Sequence, residues 1–412
     1  MNALQRLVIQ AILLQNGGQT PLPLLRSLRW YREAPDDGSL VPSFPPTLRY
    51  VTFSSMTGCC PVDVFILRRL RESCPLLAEL LIDTGPTRDL VSSLARELDG
   101  FERLRKIEIS ECSGFSVFRD IATKANLSSL RINNLTGPWI GISQPVVIHD
   151  LRELDVDWCG GSDIVGLFGL VRFQSLEKLT LLIHEDSDMS ADDIITLLHN
   201  LSSAVPTSRF QQLELEGRFH SAGWLPRDGA LRDVLDPLLR LRNIRHFCLY
   251  FFEAFSRSDT ADIEALAQAW PKLARLHLVG FDQGSALSAN SLHHLYLHCP
   301  DLREVSLPVL SLPMIGVNET PTSLGRSSHR LRRLSITGIH VHGNSIPDGE
   351  MEGLARYILD LFPHLDTKEY QSTLRQCDQA KRDGSSYIPR IEPIWLEVMR
   401  HICFIQACSA AN

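Results

Sequence analysis

The chain has 412 residues, of which 44% are hydrophobic and 22% are charged, and its formal net charge is −7. This modest negative charge argues against binding of nucleic acid or of an anionic membrane, since both need a basic face. The sequence contains no run of 18 apolar residues, so we expect no transmembrane helix. The N-terminus lacks the basic start and the cleavage site of a signal peptide. The ten cysteines form no C-x-x-C pair, so we expect free thiols in the cytosol or the nucleus.

A short apolar pattern, L-x-x-L-x-L, recurs from one end of the sequence to the other. We call the three apolar residues of each copy a triplet. Leu151, Leu154 and Val156 form a clear copy, and Cys159 follows where the chain turns. Thirteen copies align with a mean period of about 27 residues, within the range of roughly 20–29 typical of leucine-rich repeats. Their central residues are Leu7, Leu28, Val51, Leu80, Ile107, Leu130, Leu154, Leu179, Leu213, Phe247, Leu276, Val305 and Leu334.

This pattern predicts an α/β fold, a leucine-rich-repeat solenoid of horseshoe shape. Each x-L-x-L-x strand directs its leucines inward and its x residues to the concave face, while a helix covers the convex face. One repeat cannot bury its own apolar face, so neighbours stack with parallel strands into one core. We therefore expect residues 1–365 to form a solenoid of about 13 repeats and residues 366–412 to form a C-terminal helical cap or tail.

Amphipathic stretches between the strands predict a series of helices. Pro61 begins the first of them, where its missing N–H costs nothing. Trp270-Pro271 and Cys299-Pro300 each end a helix, because the residue before a proline disfavours helical backbone. The predicted helices cover 61–73, 87–98, 113–124, a stretch that starts at 190, 231–239, 260–270, 288–298 and 350–361. Residues 308–329 are rich in Pro, Ser, Thr and Gly and predict a loop.

The two ends of the array lead to different expectations. The first strand begins almost at Met1, and no polar cap precedes Leu4, so we expect a further domain or further repeats upstream. After Lys368 the repeat pattern stops. One face of a last helix then carries the apolar residues Trp395, Val398, Met399 and Ile402, which we expect to cover the final leucine layer.

Several repeats share a further signature, in which an X-Pro pair ends a helix and leads directly into the next triplet. It occurs at 74–80 (CPLLAEL), 270–276 (WPKLARL) and 299–305 (CPDLREV), with a variant at 362–365 (FPHL). Cys112 and Cys159 follow their triplets as in a cysteine-containing class of repeat. With a tryptophan-containing helix at Trp395, these features resemble the leucine-rich-repeat portion of F-box proteins, particularly the large fungal F-box/leucine-rich-repeat family.

The resemblance implies a protein–protein interaction module, the substrate-recognition part of an F-box-type (SCF) ubiquitin ligase adaptor. In that family an F-box, a short helical domain that opens with a Leu-Pro-x-Glu-type segment, docks on the Skp–cullin ligase. No such segment precedes Leu4, so an F-box would have to lie upstream of Met1. The alternative is a free-standing leucine-rich-repeat scaffold or regulator without a ligase link.

Acidic residues at the x positions of one strand mark a candidate partner-binding surface on the concave face. Glu153, Asp155 and Asp157 alternate along this strand and therefore point to the same side. Like charges on one strand face cost free energy, which favours a role in binding a basic partner. Arg131 of the preceding strand would partly neutralise them. The alternative interpretation is a solvated strand surface.

Farther along the chain, the corresponding strand positions are basic. Arg275, His277 and Arg333 predict a second, positively charged surface, with Tyr250 nearby. A concave face that is acidic in the middle and basic toward the C-terminal end fits a polar peptide as its protein partner.

Other residues suggest a metal or an enzymatic site, and the sequence favours neither. His294 and His298 lie one helical turn apart beside His293, but no third ligand or H-E-x-x-H pattern accompanies them. The stretch 184–188 (HEDSD) lacks the glycine and the terminal glutamate of a calcium loop. Cys59 and Cys60 lie in no C-x-x-C motif. Without a G-x-S-x-G, P-loop or G-x-G-x-x-G motif, we predict no catalytic residue, no cofactor and no metal site.

Overall fold

The computed structural model describes residues 23–32, 44–55, 61–84, 96–137, 144–184, 191–218, 231–255, 259–281, 286–312, 329–341, 349–382 and 393–411. They fall into two compact units, which are described separately: unit 1 comprises residues 1–188 and 203–206, and unit 2 comprises residues 189–202 and 207–412. Several predicted features lie outside the described residues, namely the triplet around Leu7, the helix over 87–95, Ser190, the acidic residues 185–188, and the pair Cys59 and Cys60.

The described strands of unit 1 pair in parallel, and most of them form one ladder that follows the order of the chain. They are β1 (Ser27–Arg32), β2 (Tyr50–Ser55), β3 (Glu79–Thr84), β4 (Lys106–Ile109), β5 (Cys112–Ser113), β6 (Ser129–Ile132), β7 (Leu135–Thr136), β8 (Val146–Ile148), β9 (Glu153–Cys159), β10 (Val171–Phe173) and β11 (Lys178–Ile183). The ladder joins β1, β2, β3, β4, β6, β9 and β11. Between the strands the chain forms α1 (Pro61–Ser73), a 3₁₀ helix (Leu98–Gly100), α2 (Phe115–Ala122) and α3 (Gly161–Leu170).

Unit 2 repeats the alternation of parallel strands and helices. After α4 (Ala191–Ala204), its elements are β12 (Gln212–Arg218), α5 (Leu231–Leu239), β13 (His246–Phe255), α6 (Thr260–Ala269), β14 (Arg275–Phe281), β15 (Leu287–Ser288), α7 (Asn290–His298), β16 (Glu304–Leu312), β17 (Arg333–Val341), α8 (Glu350–Leu361), α9 (Thr367–Arg382) and α10 (Pro393–Ala411). Strands β12, β13, β14, β16 and β17 pair in that order. No helix among the described residues is long and apolar enough to cross a membrane.

The repeat triplets pair residue by residue across each ladder. In unit 1 their central residues are successive partners with at most 4% exposure, and they are Val51, Leu80, Ile107, Leu130, Leu154 and Leu179. In unit 2 the same position is at most 1% exposed and holds Leu213, Phe247, Leu276, Val305 and Leu334. Burial of one such side chain contributes roughly 1.5–3 kcal/mol. These stacked layers confirm the predicted α/β leucine-rich-repeat solenoid with parallel strands.

The X-Pro signature ends helices as predicted and anchors them in the core. Trp270 follows α6 and is fully buried, with its ring 4.8 Å from that of Phe247. At the other end of α6, Asp259 and Asp262 form a capping box, in which each carboxylate accepts a hydrogen bond from the backbone N–H of the other residue. Local capping therefore fixes where α6 begins, and the buried Trp270 side chain holds its end in the core.

The structure corrects three predicted boundaries. Ser113 and Ser288 were expected to begin helices but lie in the short strands β5 and β15, so α2 and α7 start later, at Phe115 and Asn290. The predicted loop 308–329 was wrong for 308–312, which continue β16. There the strand register passes over Pro308, which has no N–H to donate, and resumes with Val309 opposite Gly338. The next residue, buried Leu310, pairs with Ile339.

The cysteines of the described residues are free, as the sequence predicts. Cys112, Leu135 and Cys159 are register partners in β5, β7 and β9, and all three are completely buried. Burial raises the pKa of the Cys112 thiol and that of the Cys159 thiol to about 12. These thiols are therefore neutral packing groups at the ends of their repeats.

Candidate functional site

Five charged residues on the exposed strand face of unit 1 form a contiguous group, which we call the acidic strand cluster: Glu108, Arg131, Glu153, Asp155 and Asp157. The side chains at its centre are register partners, because Arg131 on β6 lies between Glu108 on β4 and Asp155 on β9. The Arg131 guanidinium lies 2.6 Å from Asp157, 3.7 Å from Asp155 and 3.9 Å from Glu108, measured from nitrogen to carboxylate oxygen. Glu153 accepts a hydrogen bond of 3.2 Å from the Ser129 hydroxyl.

The charges of the acidic strand cluster do not balance. The hydrogen bond to Asp157, together with the neighbouring carboxylates, raises the pKa of Arg131 above its ordinary value and keeps it charged. One guanidinium thus faces three carboxylates, while the fourth carboxylate, that of Glu153, lies opposite Lys178 of β11 in the strand register. The side chains of these three acidic residues are 21–31% exposed, so the surplus of negative charge is partly open to solvent. Such a surface attracts cationic groups.

Next to this cluster, strand β9 turns an aromatic ring out of the sheet. Asp157 and Trp158 together face a single residue of β11, because Val156 pairs with Leu181 and Cys159 with Ile183. This β-bulge carries Trp158 at a positive φ of 53°, and its side chain is 55% exposed. Bulges of this kind redirect a side chain away from its regular position.

The redirected ring borders a cavity of about 550 Å³. The indole of Trp158 lies 4.6 Å from the His184 ring, with an angle of 36° between the planes. Besides these two rings, the lining includes Asn133, Thr136 and the Asp163 carboxylate near the start of α3. The cavity therefore offers an aromatic face, amide and hydroxyl groups, and a negative charge.

In unit 2, one carboxylate joins the two predicted basic residues, and we call this group the Glu304 cluster: Arg275, Glu304 and Arg333. Glu304 receives a hydrogen bond of 2.6 Å from Arg275 and one of 2.9 Å from Arg333. Burial disfavours ionisation of Glu304, but the hydrogen bond from Arg333 and the charge of Arg275 outweigh it, so its pKa is lowered. The Arg275 and Arg333 side chains stay 45% and 62% exposed. Glu304 therefore neutralises part of the positive charge of Arg275 and Arg333.

Tyr250 and His277 lie together on the neighbouring strands of unit 2. The Tyr250 hydroxyl is 2.8 Å from Nδ1 of His277, and the two rings meet edge to face. Burial lowers the pKa of His277 and raises that of Tyr250 to about 12. Both side chains are therefore neutral near pH 7, and His277 adds no positive charge to the surface that the sequence predicted to be basic.

The Glu304 cluster predicts a pH-dependent contribution to stability. Because the pKa of Glu304 is lowered on folding, its stabilisation is present above about pH 4.5, the ordinary pKa, and is lost as the pH falls through the lower folded value. We expect Glu304→Gln to lower the free energy of unfolding by about 1–2 kcal/mol at pH 6 and by much less at pH 3.5. Urea unfolding at both pH values measures this difference.

The matched control is Glu369→Gln. Glu369 also faces Arg333, at 3.6 Å, but its carboxylate is 66% exposed. We expect a change of about 0.5 kcal/mol or less at either pH, since exposed ion pairs contribute little. An equal effect of the two substitutions, or a Glu304→Gln effect that grows toward pH 3.5, would contradict the assignment.

The structure brings most of the predicted site residues into two separate groups. Arg131, Asp155 and Asp157 meet directly, while Arg275 and Arg333 meet through a residue that the sequence analysis missed. That residue, Glu304, and likewise Glu108, stand in the register of the predicted ones, so alignment of the repeats would have identified both. The exposed position of Trp158 could not be predicted from the sequence, because a bulge within a strand does not disturb the triplet pattern.

No protein-family model matches the sequence, and no curated protein matches it. Among solved structures the chain is similar to TLR13 in its complex with ssRNA13, with 12% sequence identity and a TM-score of 0.31. The match covers 73% of this chain and 48% of the TLR13 chain. It thus spans about half the length of that TLR13 chain.

It is also similar to the leucine-rich repeat-containing protein LegL7 from Legionella pneumophila, with 10% identity, 83% and 92% of the two chains covered, and a TM-score of 0.35. The complex of Rad7 and Elc1 in yeast matches with 16% identity, 84% and 86% coverage, and a TM-score of 0.30. These TM-scores are low, and the assignment of the fold rests on the strand ladders themselves.

Proposed function

We propose that this chain is a protein-recognition module that binds a basic segment of its partner on the acidic strand cluster of unit 1. The observation that carries this proposal is the contact of Arg131 with Glu108, Asp155 and Asp157, in which one cation faces three carboxylates. Structural ion pairs usually balance their charges, whereas a surplus of partly exposed carboxylates is complementary to a cationic ligand. The chain positions its partner and performs no chemistry on it.

The cavity beside Trp158 supports an arginine- or lysine-containing segment in particular. A cation over the face of an exposed indole gains about 0.5–1 kcal/mol from the charge distribution of the ring. Asp157 directly precedes Trp158, and Asp163 lines the same cavity. A basic side chain in the cavity would therefore contact an aromatic face and a carboxylate together, while its neighbours along the peptide face the acidic strand cluster.

A labelled oligo-arginine peptide is the probe for this surface, with an oligo-glutamate peptide as the opposite charge control. We expect the double substitution Asp155→Asn, Asp157→Asn to weaken oligo-arginine binding about tenfold, equivalent to 1.4 kcal/mol. Arg131→Met should strengthen it, because the substitution removes the competing cation. Trp158→Ala should weaken it by a factor of about two to five. Fluorescence polarisation at several salt concentrations measures each affinity.

The control variant is Asp301→Asn, which removes an exposed carboxylate of unit 2 that pairs with Arg330. It should leave the affinity unchanged. Circular dichroism verifies that every variant is folded. Equal affinities for the wild type, the double variant and Arg131→Met would exclude the acidic strand cluster as the binding surface.

Beyond this surface, we propose the finer role of a substrate-recognition part of an F-box-type ubiquitin ligase adaptor. The support is the X-Pro signature at 74–80, 270–276 and 299–305, which resembles the repeats of that family. The native protein, tagged at its own locus, would then co-purify with Skp and cullin subunits. Capture of a bound partner without these subunits would instead favour the second candidate, a free-standing scaffold.

A further inference from the structure

A group of metal-ligating side chains lies on the helical side of unit 2, away from the strand face. His294 and His298 are one turn apart on α7, and their rings are parallel within 5° at a centroid distance of 6.5 Å. Glu264 comes from the neighbouring helix α6, and its carboxylate lies 3.8 Å from Nδ1 of His294. One ligand atom from each of the three residues lies within 4.8 Å of the other two.

The chemistry of this group matches a divalent transition metal. Imidazole nitrogens and a carboxylate are a ligand set of zinc, which binds them at about 2.0–2.2 Å, and three protein ligands leave the fourth tetrahedral position for water. Ligand atoms around a tetrahedral zinc ion are about 3.3–3.5 Å apart. The observed spacing reaches that value with small rotations of partly exposed side chains.

Two further observations support the binding of a ligand by these side chains. Nδ1 of His294 is buried, and no described residue offers it a hydrogen bond. A buried polar atom without a partner is costly, and a bound metal would remove that cost. The amide of Gln268 donates a hydrogen bond of 2.9 Å to Oε1 of Glu264. Such an outer contact orients a ligating carboxylate. Oε1 is also the oxygen that lies 3.8 Å from Nδ1 of His294, and it keeps a second lone pair for the metal.

From this geometry we propose that Glu264, His294 and His298 form a zinc-binding site that links α6 to α7. The sequence argued against a metal here because no third ligand accompanies the histidines. The third ligand lies thirty positions before His294, one repeat earlier in the chain, and only the stacking of repeats brings it into place. His293 points to a different neighbour, since its ring stacks on Tyr296, and it is not part of the site.

The site would couple neighbouring repeats of unit 2. Helices α6 and α7 belong to successive repeats, and in a repeat protein each repeat is held mainly by its neighbours. A metal that bridges them binds the folded arrangement and not the unfolded chain, so zinc would stabilise unit 2 against unfolding. This role is independent of the strand surface that binds the partner.

The test measures zinc binding to the whole 412-residue chain, purified in the presence of a chelator and then dialysed. Competition with a chromogenic chelator gives the affinity, and thermal unfolding gives the stabilisation. We expect zinc to raise the melting temperature by a few degrees. His298→Ala and Glu264→Gln should each weaken binding by about 100-fold, since loss of even an outer contact costs about 10–100-fold. His293→Ala, the matched control on the same helix, should bind zinc as the wild type does.

Cobalt substitution gives a second, spectroscopic measurement. A Co²⁺ ion in the proposed site should show visible absorption bands of a four-coordinate centre without the near-ultraviolet charge-transfer band of a thiolate ligand. Three results would each overturn the proposal: no zinc binding in the micromolar to millimolar range, binding that survives both His298→Ala and Glu264→Gln, or a thiolate band that places the metal on cysteine. Circular dichroism of the variants separates loss of the site from loss of the fold.

Discussion

Replacing Ile107 by alanine should lower the free energy of unfolding by about 2–5 kcal/mol. Ile107 is 1% exposed, and on β4 it pairs with Leu80 on one side and with Leu130 on the other. The substitution removes three carbon atoms from the centre of a layer that neighbouring repeats cannot fill, so it costs both the lost burial and the cavity left behind. Ile107→Val, which removes one methylene, should cost only about 0.5–1.5 kcal/mol.

The neighbouring residue provides the control. Lys106 is on the same strand but points to the exposed face, and Lys106→Ala should change the free energy of unfolding by about 0.5 kcal/mol or less. Urea unfolding of the three variants measures these differences. Similar losses for Ile107→Ala and Lys106→Ala would mean that the inward and outward positions of the triplets are wrongly assigned.

The second large effect concerns the C-terminal helices. Trp395 on α10 is 2% exposed, and its ring meets that of Tyr370 on α9 edge to face at 6.3 Å. The Tyr370 hydroxyl in turn donates a hydrogen bond to the backbone carbonyl of Leu334 on β17. Trp395→Ala should therefore cost about 3–5 kcal/mol, because it opens the contact that holds α9 and α10 on the last strand.

Phe404 is the matched control, an aromatic residue on the same helix that is 68% exposed. Phe404→Ala should leave the free energy of unfolding within about 0.5 kcal/mol of the wild-type value. We propose on this basis that residues 366–412 cap a solenoid formed by residues 1–365. If Trp395→Ala were as mild as Phe404→Ala in thermal and urea unfolding, the C-terminal helices would be an appendage and not a cap.

The sequence predicted the repeat architecture because each repeat carries its own pattern of inward apolar residues and helix-ending prolines. The inward residues of the triplets, Leu154 and Phe247 among them, recur at fixed spacing, and a proline after Trp270 or Cys299 marks a helix end within the local chain. Errors arose where a short strand precedes a helix, as at Ser113 and Ser288. A polar residue there serves a strand or a helix cap equally well, and tertiary pairing decides between them.

The candidate sites could be predicted only in part, for a different physical reason. Asp155 and Arg131 share a strand register, which the repeat period encodes. The bulge that exposes Trp158 depends on the unequal lengths of β9 and β11, and the position of Glu264 beside His294 depends on how α6 packs against α7. Such contacts join different repeats through packing, and no local pattern reports them.

The buried thiols provide the protein with a set of chemical reporters. Cys74, Cys112 and Cys159 lie in successive parts of unit 1, and Cys248, Cys299 and Cys377 lie in unit 2, all of them buried. A thiol reagent can reach each one only when its own segment opens, so the rate of modification at each cysteine measures the local opening free energy there. Exposed Cys408 reacts from the folded state and serves as an internal reference. Mass spectrometry after timed labelling would thus read, repeat by repeat and without any engineered probe, how cooperatively the solenoid unfolds.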